Sequence, residues 1–482
     1  MNFASLTFWF FFALVFLLYW LVRERRWQNA LLLLASYVFY AWLSPWYAVL
    51  LGASSLADFY LARQMKQGVR VKFYLVLSLV LNLGVLAFFK YYNFFNTQAA
   101  EALTSVGLSV DWLFTKILLP AGLSFYTLKK LAYMIDASRG TLEPSDDLLS
   151  FALFVSFFPQ LIAGPIDRYQ KLIPQIQRTR AWQPDFFYSA WPLLVMGLFK
   201  KIVIADSIKP IVDRVFGLDQ PSILLVIAGA LGFTLEILAD FSAYTDLSRG
   251  VAQLLGFNTS ENFNRPYLSL TPTDFWNRWH ITLSTWLRDY IFFPVRRALL
   301  RWERPLPHWL LLSMPPLVTM FISGIWHGAG LNYMIWGLYY GILIAGYQLT
   351  GLRGNPSTRF RQAQPDGSGR RWIPAGRLRT FFAWLIMFSF IAFGWLIFRA
   401  PSMTWLTNVL LHSDWSHGRE DWIVVSIVLS RTVLYSSPLI VKYLLDQYVP
   451  RGFLQPFYYA VLTLSTVLFI GTATTDFIYF QF

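Results

Sequence analysis

The chain has 482 residues, of which 56% are hydrophobic and only 14% are charged. Soluble domains carry about 25% charged residues, so this composition excludes an ordinary soluble protein, although the length alone would suit about three soluble domains. The sequence contains no cysteine, which excludes disulfides, thiolate metal sites and a cysteine nucleophile. The net charge of +14 would suggest a nucleic-acid partner in a soluble protein. In a membrane protein the distribution of positive charge among the loops instead predicts which loops face the cytoplasm. No nucleic-acid partner is therefore expected.

Apolar runs suited to membrane helices recur along the whole chain, beginning with TFWFFFALVFLLYWLV at 7–22. A helix crosses the hydrocarbon core with about 20 residues. The first run has no basic segment before it and no small-residue cleavage site after it, so we expect it to remain as a span. The pattern predicts twelve spans, at about 5–22, 28–44, 47–64, 72–95, 113–130, 190–215, 221–256, 309–326, 331–350, 379–399, 422–446 and 456–475.

The loop charges predict how these spans are oriented. The segments at 23–27 and 64–72 are basic, whereas 96–112 carries no lysine or arginine. Basic loops stay in the cytoplasm, so both termini are expected on the opposite side. The segment at 351–379 has seven arginines and one acid, Asp366, and is expected to be a cytoplasmic basic loop. Its charges either serve topology and lipid head groups alone or attract an anionic donor, whose affinity would then fall with added salt.

Ionisable side chains interrupt the apolar pattern between about 115 and 337. Such groups are costly inside a membrane and indicate a buried cavity, channel or site. Within the same region, the segment at about 149–166 is apolar but short, and Pro159 and Gly164–Pro165 break it. It suits a re-entrant or half-spanning element packed within protein. The ionisable residues are Lys129, Lys130, Asp136, Lys200, Lys201, Asp206, Glu236, Asp240, Asp246, His280, Arg288, Asp289 and His327.

The chain has five histidines, and two of them stand in apolar surroundings. His412 and His417 lie in the polar stretch LHSDWSHGRE, and His308 begins a predicted span, where an interfacial role is expected. His327 stands in FISGIWHGAGLNYMIWG among three glycines. Small residues there allow either a substrate or another helix to approach the imidazole, so His327 is a candidate functional residue or a packed structural histidine.

His280 stands in the second unusual stretch, FWNRWHITLSTWLRDY, at 275–290. If this stretch is helical, Trp276, His280, Ser284 and Arg288 fall on one face at a spacing of about four residues. The stretch is too amphipathic to span a membrane. It therefore either lines a cavity or lies at the membrane interface with its aromatic side chains as anchors.

The chemistry that two such histidines support is limited. A metal site needs three or more ligands, usually closely spaced, and the sequence offers no such spacing, so no metal is expected. One placed imidazole is sufficient for general-base activation of a hydroxyl, with a second polar group to orient or polarise the other reactant. Intramembrane carboxylates such as Asp240 and Asp246 suit a proton-coupled transporter instead. From the residues alone, acyl transfer and transport stay open.

Six motifs in order resemble the membrane-bound O-acyltransferases, and especially their bacterial alginate O-acetyltransferase branch. The resemblance covers about 115–340. The branch that transfers D-alanine to teichoic acids shares FWNRWH and GPIDRY, whereas FFPQLIAGPI, GLFKKIVIAD and WLRDYIFFP favour the alginate type. The motifs are LPAGLSFYTLKKLAYMIDASRG (119–140), FFPQLIAGPIDRY (157–169), GLFKKIVIAD (197–206), DFSAYTD with ENFNRPY (240–246 and 261–267), FWNRWHITLSTWLRDY (275–290) and GIWHG (324–328).

The resemblance implies an all-α polytopic fold of about 11–12 transmembrane helices, with re-entrant and interfacial helices around a central funnel. It implies a single membrane domain over 1–482, with an N-terminal shell at 1–112, a catalytic core at 113–340 and C-terminal helices at 380–482. His327 is implied as the catalytic base or acyl-transfer residue and His280 as its partner, while Arg288 and Asp289 would hold their helix. The remaining positions implied to line or support the site are Trp279, Asn277, Ser284, Trp326, Gly164 and Pro165.

The implied activity is transfer of an acetyl group from a cytoplasmic thioester, acetyl-CoA, to an acceptor outside a bacterial inner membrane. No bound cofactor is implied. The acceptor would be a polysaccharide such as alginate, or an extracytoplasmic partner of the SGNH-hydrolase type. Two alternatives stay open. One is D-alanyl transfer from a carrier protein, and the other is transport of a glycan or lipid precursor.

Overall fold

The computed structural model describes residues 1–106, 117–303, 305–350, 376–449, 452, 454–470 and 477. This part of the chain is all-α, as predicted. The helices, numbered α1 to α20 in chain order, are Leu6–Leu21, Arg25–Ala41, Pro45–Lys66, Val71–Ser105, Leu123–Ser138, Leu148–Ser156, Phe158–Leu161, Tyr169–Gln177, Pro184–Phe199, Asp206–Phe216, Ile223–Leu254, Pro272–Trp276, Ile281–Leu287, Phe293–Leu300, His308–His327, Leu331–Leu349, Arg377–Arg399, Met403–His412, Arg419–Tyr448 and Gln455–Phe469.

Six helical runs in the described residues are long and apolar enough to cross a membrane, and α1 is a shorter apolar helix. The protein is therefore a multi-pass membrane protein. The chain divides into two compact units, the first comprising Met1–Val203, Asp240–Ser260 and Leu454–Gln481, and the second Ile204–Ala239 and Glu261–Phe453. The six runs are Val71–Ser105, Pro184–Phe216, Ile223–Leu254, His308–His327, Leu378–Arg399 and Arg419–Tyr448.

Two predicted boundaries are wrong. Helix α4 continues to Ser105, so 96–105 is helical and not a loop, and only 107–112 of that predicted loop lies outside the described residues. Helix α5 begins at Leu123 and not near 113, and nearly all of its side chains are buried in protein. An apolar composition is equally suited to lipid and to a protein interior, which is why hydropathy alone misplaced this element. The basic loop predicted at 351–379 lies outside the described residues up to 375.

In the first unit, the segment broken by proline and glycine forms the two short helices α6 and α7, and its side chains are buried. A Cβ atom on Gly164 would lie 2.4 Å from the Cα of Gln160 and 2.7 Å from the hydroxyl of Ser248, so only glycine permits this tight turn. Gln160 donates to Asp167 at 2.6 Å and accepts from buried Lys129 at 3.2 Å. These hydrogen bonds satisfy the buried polar groups of the segment.

Two ion pairs, one buried and one partly buried, join helix α11 to the π-helical turn Lys200–Ala205 within the first unit. Lys201 lies 2.8 Å from Asp240, and Lys200 lies 2.7 Å from Asp246. A buried charge is retained when it is paired. The pairing accounts for four of the ionisable residues that the sequence left open as parts of a transport pathway.

In the second unit, helices α15 and α16 form a tightly packed hairpin around the stretch that contains His327. A Cβ atom on Gly324 would lie 2.3 Å from the carbonyl oxygen of Tyr333, and one on Gly337 would lie 2.3 Å from that of Met320. The glycines beside His327 therefore allow close approach of a second helix, which was one of the two predicted reasons for them.

Candidate active site

The stretch 275–290 is not one helix, and that conditional prediction is wrong. Helix α12 ends at Trp276 and α13 begins at Ile281, and His280 between them has a left-handed backbone with φ 41° and ψ 54°. Non-glycine residues adopt this conformation only when the surroundings enforce it, commonly at functional sites. The chain changes direction at His280, so Trp276, His280, Ser284 and Arg288 do not share one helix face.

Asn262 holds this turn. Its side-chain oxygen accepts from the backbone N–H of Thr282 at 3.2 Å and from the Thr282 hydroxyl at 2.7 Å. Its carbonyl oxygen accepts from the N–H of Ile281 at 2.9 Å. Asn262 is 1% exposed, so these bonds form away from water. The ENFNRPY motif therefore supplies the acceptors that fix the backbone on the C-terminal side of His280.

His280 is fully enclosed by protein. Its side chain is 1% exposed, it lies outside the six candidate spans, and burial lowers the pKa of its imidazole well below the ordinary value. The ring is therefore neutral at physiological pH. A neutral imidazole carries one N–H donor and one acceptor nitrogen, so it can orient a reactant by hydrogen bonding.

His327 is the last residue of α15 and is also buried, at 7% exposure. Its ring centre lies 5.0 Å from that of Trp336 and 5.4 Å from that of Phe398, both nearly perpendicular. Asn332 donates to the carbonyl oxygens of Phe398 and Ala400 at 3.3 and 3.4 Å, which ties α16 to the end of α17. His327 thus stands in a packed aromatic wall.

The two histidines, 47 positions apart in the sequence, contact the same indole. The ring centre of Trp326 lies 6.4 Å from that of His280 and 4.8 Å from that of His327. The centres of the two imidazole rings therefore lie at most 11.2 Å apart. The structure therefore brings together the two residues that the motifs singled out, together with the predicted lining residue Trp326.

A cleft of about 230 Å³ lies within the second unit beside the turn at His280, and its lining includes Asn277 and Ile281 but neither histidine. Buried Trp276 and Met320 belong to its lining, as does the half-exposed Arg288. The cleft therefore extends from the protein surface to buried aromatic and aliphatic side chains, the lining usual for small-molecule sites. The lining residues are Thr273, Trp276, Asn277, Ile281, Ser284, Thr285, Leu287, Arg288, Phe292, Phe293, Pro316, Thr319, Met320, Ile344 and Gln348.

The other predicted site residues fall into three groups. Asn277, Ser284 and Arg288 line the cleft, and Arg288 pairs with the neighbouring Asp289 at 3.0 Å on a π-helical turn. Trp279 does not line the cleft but packs 4.7 Å from Trp395, which lies 5.7 Å from Phe398 in the aromatic wall around His327. Gly164 and Pro165 lie in the first unit, in the turn described above. Among the described residues, no group of three or more histidine and carboxylate side chains could hold a metal ion.

Four residues around the candidate site were not predicted from the sequence: Trp336, Tyr340, Phe398 and Asn262. A signal existed for two of them. In LNYMIWGLYYG, Asn332, Trp336 and Tyr340 recur every fourth residue, which is one helix face, and all three are buried. Phe398 carries no local signal. Asn262 lies in the ENFNRPY motif, but its role, like that of Phe398, depends on contacts with a distant segment.

An all-α membrane protein with two buried imidazoles beside a cleft has the parts of a membrane-embedded transferase. The model of the membrane-bound O-acyltransferase family, MBOAT, matches residues 79–389. The chain belongs to this family and is an O-acyltransferase that uses an acyl donor.

Three relatives illustrate the range of the family. The chain is 36% identical over 410 residues to the probable alginate O-acetylase AlgI of Pseudomonas aeruginosa, covering 84% of this chain and 73% of the relative. It is 31% identical over 413 residues to the peptidoglycan O-acetyltransferase of Helicobacter pylori, covering 79% and 72%. It is 29% identical over 282 residues to the teichoic acid D-alanyltransferase of Bacillus subtilis, covering 58% and 68%.

We expect Asn262→Ala to lower the rate of acyl transfer by about 10- to 100-fold, because a displacement of a catalytic group by about 1 Å has effects of this size. The measurement is kcat of the purified enzyme, with Asn258→Ala, an exposed position, as the matched control. Thr282→Val removes only one of the two bonds from Thr282 to Asn262 and should have a smaller effect. Equal kcat for Asn262→Ala and wild type would show that Asn262 does not position His280.

Proposed function

We propose that the protein is an O-acetyltransferase of the bacterial inner membrane that acetylates an exopolysaccharide or cell-wall glycan, with alginate as the first substrate to test. The acetyl group would come from acetyl-CoA in the cytoplasm. The receiver outside would be the glycan hydroxyl or an SGNH-type partner that passes the group on. The observation that carries the proposal is the contact of both buried histidines with Trp326, beside a cleft. The names of the acetylating relatives support the choice of acyl group.

The proposed chemistry assigns one role to each histidine. The acceptor hydroxyl attacks the carbonyl carbon of the thioester while His327 accepts the hydroxyl proton. Neutral His280 donates a hydrogen bond that orients the carbonyl group. The carbon–sulfur bond then breaks as the ester carbon–oxygen bond is completed, and the proton on His327 passes to the departing thiolate. The aromatic wall around His327 excludes water, which would otherwise hydrolyse the thioester.

The cleft is the proposed route for the donor. Its lining includes Arg288, an arginine that is half exposed, and acetyl-CoA carries phosphates that a guanidinium binds well.

In the proposed orientation both chain termini lie outside the cell and the basic segment at 351–379 lies in the cytoplasm. Its arginines would attract the anionic donor, and donor affinity should then fall with added salt.

D-alanyl transfer is the second candidate, and the similarity to the Bacillus subtilis D-alanyltransferase favours it. The two functions differ in their genetic neighbours. A D-alanine ligase and a carrier protein beside the gene would support D-alanyl transfer, whereas a secreted SGNH-type esterase would support acetyl transfer. The similarity to acetylating relatives covers more of the chain at higher identity, which is why acetyl transfer is the proposal.

Mass spectrometry of envelope polysaccharides tests the function directly. We expect the deletion strain to lose acetyl ester from one glycan, and a strain complemented with the wild-type gene to regain it. The same analysis reports D-alanyl ester, so it separates the two candidates in one experiment. Unchanged acetyl content in every envelope glycan of the deletion strain would reject the proposed function.

A further inference from the structure

Three buried aromatic side chains stand between the cleft and His327. The ring centres of Trp276, Trp336 and Tyr340 lie 5.0 to 5.7 Å from one another, in nearly perpendicular pairs. Trp276 lines the cleft, and Trp336 lies 5.0 Å from His327. This trio therefore joins the lining of the cleft, through Trp276, to the imidazole of His327, through Trp336.

The two indoles of the trio carry hydrogen-bond donors that are unpaired within the described part of the chain. The Nε1 atoms of Trp276 and Trp336 are buried and have no hydrogen-bond partner among the described residues, and the side chains are 8% and 1% exposed. Buried donors are rarely left unpaired, because the lost hydrogen bond to water costs stability. By contrast, the indole N–H groups of Trp20, Trp384 and Trp405 donate to backbone carbonyls.

The ring of Tyr340 packs against both indoles. It is fully buried, and a Cβ atom on Gly394 would lie 2.6 Å from its hydroxyl oxygen, so the end of the ring packs directly on the backbone of α17. The indoles thus have a rigid support, which is the condition for preorganised donors in catalysis.

We propose that the N–H groups of Trp276 and Trp336 donate hydrogen bonds to the carbonyl oxygen of the acyl group beside His327. This inference rests on the proposed function. As the acceptor hydroxyl attacks, the carbonyl electrons move onto that oxygen, and the two donors stabilise the resulting negative charge. When the carbon–sulfur bond breaks, the charge returns to the carbonyl and the thiolate takes the proton from His327. Preorganised donors of this kind act most strongly on the transition state.

The test replaces each tryptophan with phenylalanine, which retains an aromatic ring but has no N–H. The full-length protein in proteoliposomes receives acetyl-CoA as donor and an alginate oligosaccharide as acceptor, and kcat and KM for acetyl-CoA are measured. We expect Trp336→Phe and Trp276→Phe each to lower kcat about 10²- to 10³-fold, the effect of removing one oxyanion donor, with a change in KM of less than about threefold. Trp405→Phe, whose indole donates to Leu218 outside the trio, should leave both constants unchanged.

His327→Ala and the wild-type protein in the same assay separate failure of the indole donors from failure of the proposed function. If both phenylalanine variants keep kcat within about threefold of wild type while His327→Ala is inactive, the two N–H groups do not stabilise the transition state and the inference is overturned, but the proposed function stands. If His327→Ala is fully active, the assigned role of His327 fails; if the wild-type protein transfers no acetyl group to the oligosaccharide, the proposed function itself fails. If Trp336→Phe does not fold, as judged by its melting temperature, Trp276→Phe decides the outcome alone. A rise in KM without a fall in kcat would also overturn the inference, because it indicates binding of the ground state only.

Discussion

Replacement of His327 by alanine is expected to abolish acetylation without unfolding the protein. General-base catalysis contributes about 10²- to 10⁴-fold to a rate, so kcat should fall by at least that factor. The protein should still accumulate in the membrane, because His327 stands at the C-terminal end of α15 and the hairpin with α16 is held by glycine contacts that the substitution leaves intact. The measurement is the acetyl content of the envelope glycan, normalised to protein level.

His412→Ala is the matched control for this experiment. His412 ends helix α18 and is exposed, so its loss should leave acetylation unchanged. His280→Ala should lower kcat by less than His327→Ala, because an orienting group contributes less than the base in the proposed steps. Full acetylation by His327→Ala at normal protein level would remove the assigned role of this histidine.

Replacement of Asp240 by leucine is expected to destabilise the protein more than any other single change proposed for the first unit. The carboxylate lies 2.8 Å from Lys201, and both side chains are at most 5% exposed. Removal of one partner leaves an uncompensated buried charge, which costs about 3–5 kcal/mol. The measurement is the midpoint of unfolding of the purified protein in detergent, which should be well below that of wild type.

The double variant Lys201→Met with Asp240→Leu identifies the cause. Replacement of a buried pair by apolar side chains of similar size is often neutral or stabilising, so the double variant should regain most of the lost stability and retain acyl transfer. Asp146→Leu is the control, because its ion pair with Lys66 is exposed and such pairs contribute only about 0–1 kcal/mol. A stable double variant without activity would mean that the pair takes part in function, as a proton pathway would require.

These ion pairs also show how one residue pattern supported two interpretations. Asp240, Asp246, Lys200 and Lys201 are the kind of intramembrane charges that transporters use, and the sequence alone could not distinguish that use from structural pairing. Pairing depends on which faces of two helices meet. In this protein consecutive lysines on one π-helical turn each lie beside a carboxylate of α11.

The amino-acid sequence by itself determined that the protein lies in a membrane and that its fold is all-α. It also singled out two histidines as candidate site residues. Long apolar runs are a local property, and a bilayer admits helices over any irregular chain, so an all-α membrane protein followed from composition and run length. The order of the motifs around His280 and His327 identified the family, which the match over residues 79–389 confirmed.

Only the tertiary structure decided how the site is assembled. The turn at His280 forms because Asn262, eighteen positions earlier in the chain, supplies acceptors for Ile281 and Thr282, and helical periodicity contains no information about such a partner. A sequence likewise cannot show that the N–H groups of Trp276 and Trp336 have no hydrogen-bond partner among the residues that the structure describes. Whether a buried donor is satisfied depends on the atoms that surround it in space, and those atoms come from segments far apart along the chain.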